Sequence, residues 1–273
     1  MLPLVGNAME ALPGLELQWL TGFLLQLLLS SVRVSAFLIS APAFGARWFP
    51  LQVRVMLAFM LIGIVFVRVE PLDMALIGSP KIIMILATEV AVGLTAGLTL
   101  TIWFSAALLA GEKIATSAGL GFAAQLDPQT GAQTPVVSQM LYLFLTVLFF
   151  SMDGHLLVLG MMLASYDILP LGQTPPFGLL IKSVIEAAGA MFFAASIIMM
   201  PVALVLLMVN ASIGIITRSA PQLNLFSFGF PISLLAVFFI LFLSAGALGE
   251  AFTNLINASL DSLETLIGGL GDG

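Results

Sequence analysis

Apolar residues follow one another along most of the chain, in long stretches separated by charges, prolines and glycines. Uninterrupted apolar stretches of this kind are typical of helices that lie in a membrane or in a large apolar assembly. The pattern predicts an all-α protein with about six long hydrophobic helices that contain kinks. These lie near Trp19–Ser40, Val53–Val67, Ile82–Ala110, Val136–Ser151 with an extension towards Ser165, Ala187–Thr217 and Phe230–Leu248.

Some of these stretches have unusual lengths for membrane spans. The uncharged run between Arg54 and Arg68 has 13 residues, which makes about 20 Å of helix, whereas the hydrocarbon core of a bilayer is about 30 Å thick. The uncharged stretches on either side of Arg218 are too long for one span, and we expect Pro201 to interrupt the first of them and Pro231 the second. They are interpreted as two bent helices that pack as a hairpin around Arg218.

Composition narrows the possible functions. Only 8% of the residues are charged and 60% are hydrophobic, while soluble domains are about a quarter charged. Eight basic residues and a net charge of −6 provide no basic patch for nucleic acid. The chain has no cysteine and one histidine, which excludes zinc fingers, iron–sulfur clusters and thiol catalysis. No catalytic motif is present, so we expect a protein that is not an enzyme and has no cofactor.

The distribution of basic residues does not predict an orientation in the membrane. If six helices cross the bilayer, one set of loops and ends holds three lysines and arginines and the other holds four, which is no useful difference. Together with the mismatched lengths, this favours protein partners rather than lipid around much of the surface. An ordinary six-helix membrane protein is the alternative.

Small residues recur every four positions in the third stretch, at Gly93, Gly97, Thr101 and Ser105. Such spacing places small side chains on one helical face, where two backbones can approach closely. We therefore expect Gly93 and Gly97 to lie at a helix–helix contact, either within this chain or with another subunit.

Several charged residues lie within or beside apolar stretches. Glu89 stands inside one, where an ionised carboxylate is unfavourable unless it is paired. A proton relay is conceivable, but the sequence favours a structural ion pair or a neutral carboxyl group. Arg33 and Arg54 must likewise find a carboxylate, carbonyl groups or water. They are candidates for subunit contacts, and the alternative is that they extend towards the membrane surface.

The polar stretch Gly111–Pro135 joins two apolar helices and is too poor in charge for a solvated linker. Non-helical backbone at membrane depth occurs only where protein buries it or where it lines a wet cavity. Glycines permit compact turns there, so this segment suits a constriction or plug. The alternative is an ordinary loop outside the membrane.

The block from Arg218 to Pro231, RSAPQLNLFSFGFP, resembles the FliR/SctT family, the export-gate subunits of the type III secretion apparatus. Asn224 lies within this block, and Pro201 and Asn210 precede it at matching positions. The likeness extends over nearly the whole chain, except for the first 18 residues and the tail after about Glu264. Further matches are Arg33 with Phe37 and Pro42, Gly119 through Phe122 to Asp127-Pro128, and Gly154-His155 followed by Ser165 and Pro170.

The resemblance implies a hetero-oligomer with P-type (FliP) and Q-type (FliQ) subunits, in contact with the B-type (FlhB) component. Such complexes are closed helical cones in the inner membrane and flagellar basal body, held partly above the membrane plane on the periplasmic side. Residues 1–175 would form a P-like helical portion, and residues 176–273 a Q-like helical hairpin. The family's plug loop corresponds to residues 118–135, with gate candidates Gly119, Leu120, Gly121, Phe122, Asp127 and Pro128.

The function implied by this resemblance is a gated pore that passes unfolded flagellar proteins across the inner membrane. Arg33, Arg54, Glu89, Arg218 and Asn224 are expected to make subunit or structural contacts. One alternative is the T-type export component of an injectisome. The other is a secondary transporter for small molecules or ions, although the internal repeat expected of such transporters is not apparent in the sequence.

Overall fold

The computed structural model of the chain describes residues 17–46, 48–69, 79–119, 135–220 and 229–272. These ranges contain eight α-helices and no strand, so the all-α prediction is confirmed. The helices are α1 (Leu17–Ser40), α2 (Leu51–Arg68), α3 (Lys81–Ser117), α4 (Val136–Ser151), α5 (Gly154–Ile168), α6 (Phe177–Ser219), α7 (Phe230–Leu243) and α8 (Ala245–Gly268), and a short 3₁₀ turn follows at Gly269–Asp272.

Two of the six predicted stretches are each divided into two helices. α4 and α5 meet at a bend of 68°, and α7 and α8 meet at another bend of 68°. The first bend lies at Asp153, whose φ of 55° is a left-handed conformation that aspartate tolerates better than most residues. Four helices are long and apolar enough to cross a membrane, and there are six candidate spans if each bent pair counts as one.

Three predicted helix limits were wrong. α3 continues through residues 111–117, because the side chains of Glu112 and Lys113 are exposed and do not oppose helix formation. α6 begins at Phe177 rather than near Ala187, and it continues through Pro201. A proline removes one backbone donor, but in apolar surroundings the remaining backbone groups have no water to bind, so the helix persists on both sides. Beyond Leu248, α8 continues to Gly268.

The described chain forms two compact units, and α3, α5, α6 and α8 contribute residues to both. Unit 1 comprises Met1–Leu98, Leu159–Ile181 and Glu264–Gly273. Within it, Phe23 of α1 meets Phe66 of α2 edge to face, with ring centroids 5.0 Å apart. The Gln26 side chain donates to the Val69 carbonyl at 3.2 Å, which ties α1 to the end of α2.

Unit 2 comprises Thr99–Val158 and Lys182–Leu263. Phe104 of α3 packs against Phe149 of α4, with ring centroids 5.2 Å apart, and Phe144 of α4 packs against Phe252 of α8 at 5.6 Å. Edge-to-face pairs of this kind fix the relative rotation of neighbouring helices as well as burying apolar area. The aromatic contacts therefore hold the second half of α3 against α4.

Candidate functional site

Arg33 of α1 and Glu89 of α3 form a buried ion pair within unit 1. The Arg33 Nε donates to Oε2 of Glu89 at 2.6 Å, and Nη2 donates to Oε1 at 3.0 Å. Their side chains are 0% and 1% exposed. A planar guanidinium binds both carboxylate oxygens in this way, so each charge is neutralised by the other.

The rest of the Arg33 guanidinium binds the end of α5. Nη1 donates to the carbonyl and the hydroxyl of Ser165, at 2.9 Å and 3.2 Å, and Nη2 donates to the Leu169 carbonyl at 2.9 Å. The Ser165 carbonyl also accepts from the Leu169 N–H at 2.9 Å, and Leu169 directly follows the last residue of α5. An arginine has five N–H donors, and five bonds to Glu89, Ser165 and Leu169 use them all. Arg33 therefore joins α1, α3 and α5 in one polar node.

Tyr166 covers the same node. The Arg33 guanidinium carbon lies 4.2 Å from the centre of the Tyr166 ring, where the ring face attracts a cation. The Tyr166 hydroxyl donates to the Ser30 carbonyl of α1 at 2.7 Å. Both carboxylate oxygens of Glu89 are bound by Arg33, which is the geometry of an ion pair. In the described ranges, no group of three or more acidic, histidine or cysteine side chains could bind a metal.

Glycines on α3 allow this approach of α1. A side-chain carbon at Gly93 would overlap the Arg33 carbonyl oxygen, and it would lie 2.9 Å from the Ala36 side chain. At Gly97 it would overlap the Ser40 hydroxyl. The two backbones are therefore in direct contact, and this contact places Glu89, one turn before Gly93, beside Arg33.

A third close approach, within unit 2, lies between α3 and α4, the two helices on either side of the predicted plug segment 118–135. A side-chain carbon at Gly111 of α3 would overlap the Cα of Ser138 in the first turn of α4. At the end of α3, Gly119 has a φ of 83°, a left-handed conformation that glycine adopts without strain. The Gly119 N–H donates to the Thr116 carbonyl at 3.0 Å, so α3 ends in a tight turn here.

The other candidates from the sequence lie apart from the Arg33 node. Arg54 of α2 donates to the Ala46 carbonyl at 3.3 Å, so it contacts the connection between α1 and α2. Arg218 is exposed in the last turn of α6. Six further candidates lie outside the described residues: Leu120, Gly121, Phe122, Asp127, Pro128 and Asn224.

Sequence reasoning missed most partners of Arg33. The sequence points to Ser165 only through the family resemblance, and it carries no signal for Tyr166 or Leu169. Two of the acceptors are backbone carbonyls, and every residue type has one. The sequence therefore holds no signal that distinguishes them, apart from their position near the predicted end of an apolar stretch.

Comparison of the amino-acid sequence with known proteins shows the family of this chain. The family described as "Bacterial export proteins, family 1" matches residues 24–259. Flagellar biosynthetic protein FliR of Pectobacterium carotovorum subsp. carotovorum is 32% identical over 74% of this chain and 77% of its own length. The chain belongs to the FliR family of bacterial export proteins. The FliR protein of Bacillus subtilis (strain 168) is 29% identical over 88% of this chain and 93% of its own length.

A relative with a different name also matches. "Surface presentation of antigens protein SpaR" of Shigella flexneri is 29% identical over 59% of this chain and 62% of its own length. FliR-family membership makes this chain a membrane protein of the flagellar and type III export kind, and a transport component rather than an enzyme. The resemblance found in the residues is thereby confirmed, and the matched range includes both Arg33 and Glu89.

Proposed function

We propose that this chain is a subunit of the flagellar export gate. In this proposal it assembles with P-type (FliP) and Q-type (FliQ) subunits, contacts the B-type (FlhB) component, and forms with them a gated pore for unfolded flagellar proteins. The complex lies in the inner membrane and basal body, partly above the membrane plane on the periplasmic side. The chain supplies part of the wall and the plug, and other components supply the energy.

The main support is the exposed apolar face of α6. Ile185 and Ile216 are 65% and 49% exposed, and they lie 31 positions apart, which is about 46 Å of helix. Even with a tilt of about 20°, this face rises about 43 Å, which exceeds the ~30 Å core of a bilayer. Lipid tails cannot cover its whole length, so protein partners are needed. Between the two lie further exposed apolar residues: Phe192, Phe193, Ile197, Met200, Leu204, Val205, Leu207, Met208 and Ile215.

Two observations favour this proposal over its alternatives. The FliR relatives from Pectobacterium and Bacillus match over 77% and 93% of their lengths, against 62% for SpaR, which supports a flagellar rather than an injectisome role. A transporter that binds its substrate near the midplane uses polar groups that are free to bind it. Arg33 and Glu89 are instead fully paired, which supports a passive structural role for them.

The plug is proposed at residues 118–135, with Gly119, Leu120, Gly121, Phe122, Asp127 and Pro128 as its gate residues. The close contact of Gly111 with Ser138 supports this assignment, because the segment then leaves and re-enters the fold at neighbouring helices. The division into a P-like portion (1–175) and a Q-like hairpin (176–273) is supported by the break between the end of α5 at Ile168 and the start of α6 at Phe177.

The partner proposal can be tested with single cysteines, because the chain has none of its own. Ile197→Cys places a thiol on the exposed face of α6, and Val202→Cys, at a position that is 0% exposed, is the matched control. With P- and Q-type subunits coexpressed, a thiol-to-amine cross-linker should join the first variant to a partner subunit and leave the second unlinked. A chain that purifies alone, without such cross-links, and carries a small molecule would overturn the proposal.

The plug assignment has its own experiment. Removing residues 122–132 should let small ions pass through the closed complex in a planar bilayer, since the barrier is shortened while α3 and α4 are kept. Removing residues 73–76, between α2 and α3, is the control and should leave the complex tight. An unchanged conductance after the first deletion would remove the plug from this segment.

A further inference from the structure

The outer face of α8 differs from that of every other helix that the structure describes. Each of α1 to α7 carries exposed large apolar side chains, whereas no large apolar side chain is exposed among the described residues of α8. In the part of α8 that belongs to unit 2, the exposed side chains are small or polar. The outer surface of unit 2 therefore becomes polar at this helix. The polar side chains are Glu250, Asn254, Asn257 and Asp261.

These four polar residues share one face of α8, because they follow one another at intervals of four, three and four positions. The opposite face is apolar and buried, with Phe252 and Ile256 both 0% exposed. The Phe252 ring packs against Phe144 of α4, as described above. Its apolar face therefore holds α8 to unit 2, and the polar face is left on the outside.

The preceding helix, α7, has the opposite character. It has 14 residues, which is about 21 Å of helix, and its exposed side chains suit apolar surroundings. A bend of 68° separates it from α8, and Ser244 lies at this bend. The two helices thus expose different kinds of surface on either side of one residue. The exposed large apolar residues of α7 are Ile232, Leu235, Phe238, Phe239, Phe242 and Leu243.

The length of α7 decides whether the bent pair can be one membrane span. If each helix tilts by about 34°, half of the bend, α7 rises about 17 Å of the ~30 Å hydrocarbon core. The remaining ~13 Å would take about ten residues of α8, and these include Glu250 and Asn254. With α7 upright, α8 lies flatter and still more of its polar face would enter the hydrocarbon.

The polar face of α8 is unsuited to apolar surroundings of either kind. A carboxylate in hydrocarbon is unfavourable, and so is an amide without hydrogen-bond partners. An apolar subunit surface has the same defect, and burying Glu250 under a polar one would require a counter-charge. Water solvates the whole face without any such match.

We propose that the polar face of α8 meets water in the assembled complex, and that the apolar surroundings of α7 end at the bend at Ser244. The pair α7 and α8 is then not a membrane span. This inference goes beyond the proposed function, since it assigns the surroundings of one helix. The water lies either in the passage or at the membrane surface.

Single cysteines test the proposal, because the chain has none of its own. Asn257→Cys lies on the polar face, Phe239→Cys replaces a side chain of α7 that is 63% exposed, and Ser259→Cys is the buried control at 0%. The full chain, assembled with its partner subunits in opened membrane vesicles, is treated with a membrane-impermeant maleimide. This reagent attacks the thiolate, which forms readily in water and poorly in apolar surroundings. We expect Asn257→Cys to react at least about tenfold faster than Phe239→Cys, and Ser259→Cys to stay unmodified.

Comparable rates at positions 257 and 239 would overturn the proposal. So would fast reaction of Asn257→Cys in the chain alone that is lost in the complex, because a partner subunit would then cover the face. A bulky polymer-linked maleimide distinguishes the two sources of water. Reaction with only the small reagent would support water in a narrow passage, and reaction with both would support an open surface.

A charge provides a second measurement that needs no labelling. Asn257→Lys should leave the amount of assembled complex within about twofold of normal, because water solvates the new cation, whereas Phe239→Lys should lower it by about tenfold or more. Loss of complex with Asn257→Lys would overturn the proposal. If Ile197→Cys does not cross-link to partner subunits, the proposed function fails, but the two labelling rates still measure the surroundings of α8.

Discussion

Arg33 and Glu89 are 56 positions apart in the chain, yet the guanidinium of one binds both carboxylate oxygens of the other, at 2.6 Å and 3.0 Å. Their side chains are 0% and 1% exposed to solvent. The pair lies where α1 and α3 touch through Gly93, and it also binds the final carbonyl groups of α5. The pair therefore joins α1, α3 and the end of α5 through one set of buried polar contacts.

Arg33→Met should greatly reduce the stability of the assembled protein. The change leaves a buried carboxylate without its counter-charge, which costs about 3–5 kcal/mol, and removes donors from two carbonyl groups of α5. Thermal unfolding of the purified complex measures the loss. Adding Glu89→Leu should recover part of it, because the unpaired charge is then gone. Glu186→Gln, in the exposed Lys182–Glu186 pair, is the control and should have no measurable effect.

Glu89→Gln separates a structural pair from a proton relay. The amide oxygen can accept only one of the two hydrogen bonds from Arg33, and the buried arginine loses its counter-charge, so we expect less assembled complex. Export per assembled complex should remain close to normal, because a structural pair takes no part in transport. Secretion of filament protein into the medium measures export, and the amount of complex in the membrane measures assembly. Normal assembly with abolished export would indicate that Glu89 carries protons.

Gly93→Ala should weaken the contact between α1 and α3. The added methyl group would overlap the Arg33 carbonyl oxygen, and overpacking of this kind costs about 1–3 kcal/mol. Gly63→Ala on α2 is the control, because nothing lies within 4 Å of the position that its side chain would take, and alanine is the better helix former. Comparable melting temperatures for the two variants would contradict the contact.

Gly111→Ala should weaken the contact between the last part of α3 and the first turn of α4, which flank the proposed plug segment. The new side chain would overlap the Cα of Ser138 and lie 2.7 Å from its backbone nitrogen. Thermal unfolding should show a loss similar to that at Gly93, and Gly178→Ala, where nothing lies within 4 Å, should not. Adding Ser138→Gly should not restore stability, because backbone atoms make the overlap. Full rescue would contradict this explanation.

Arg218→Ala should reduce incorporation of the chain into the complex. Arg218 is exposed in the last turn of α6, where a cation is favourable beside the helix C-terminus and can also bind a neighbouring subunit. Co-purification with P- and Q-type subunits measures incorporation. Lys182→Ala removes an exposed cation near the other end of the same helix and should have little effect. Full assembly with lost export would instead place Arg218 in the channel.

Some of the fold was predictable because the signals are local. The apolar stretches predicted the starts of α1, α2, α3, α4 and α7 to within two residues, whereas α6 begins ten residues earlier and α8 ends 20 residues later than predicted. The predicted helix end before Glu112 and the predicted interruption at Pro201 were both wrong. The reason is similar in the two cases, because each residue opposes a helix in some environments and not in others. An exposed charge is compatible with a helix, and an apolar environment maintains a helix across a proline.

The sequence alone determined the membrane character of this protein, its helical class, and the close helix contact that small residues at Gly93 and Gly97 permit, because hydropathy and four-residue spacing are properties of neighbouring positions. Only the tertiary structure decided that Glu89 pairs with Arg33 rather than with another arginine, and that Asn210 binds the end of α3. Both choices depend on which helix faces come together, and this is settled by the packing of whole helices whose partners lie far apart in the chain.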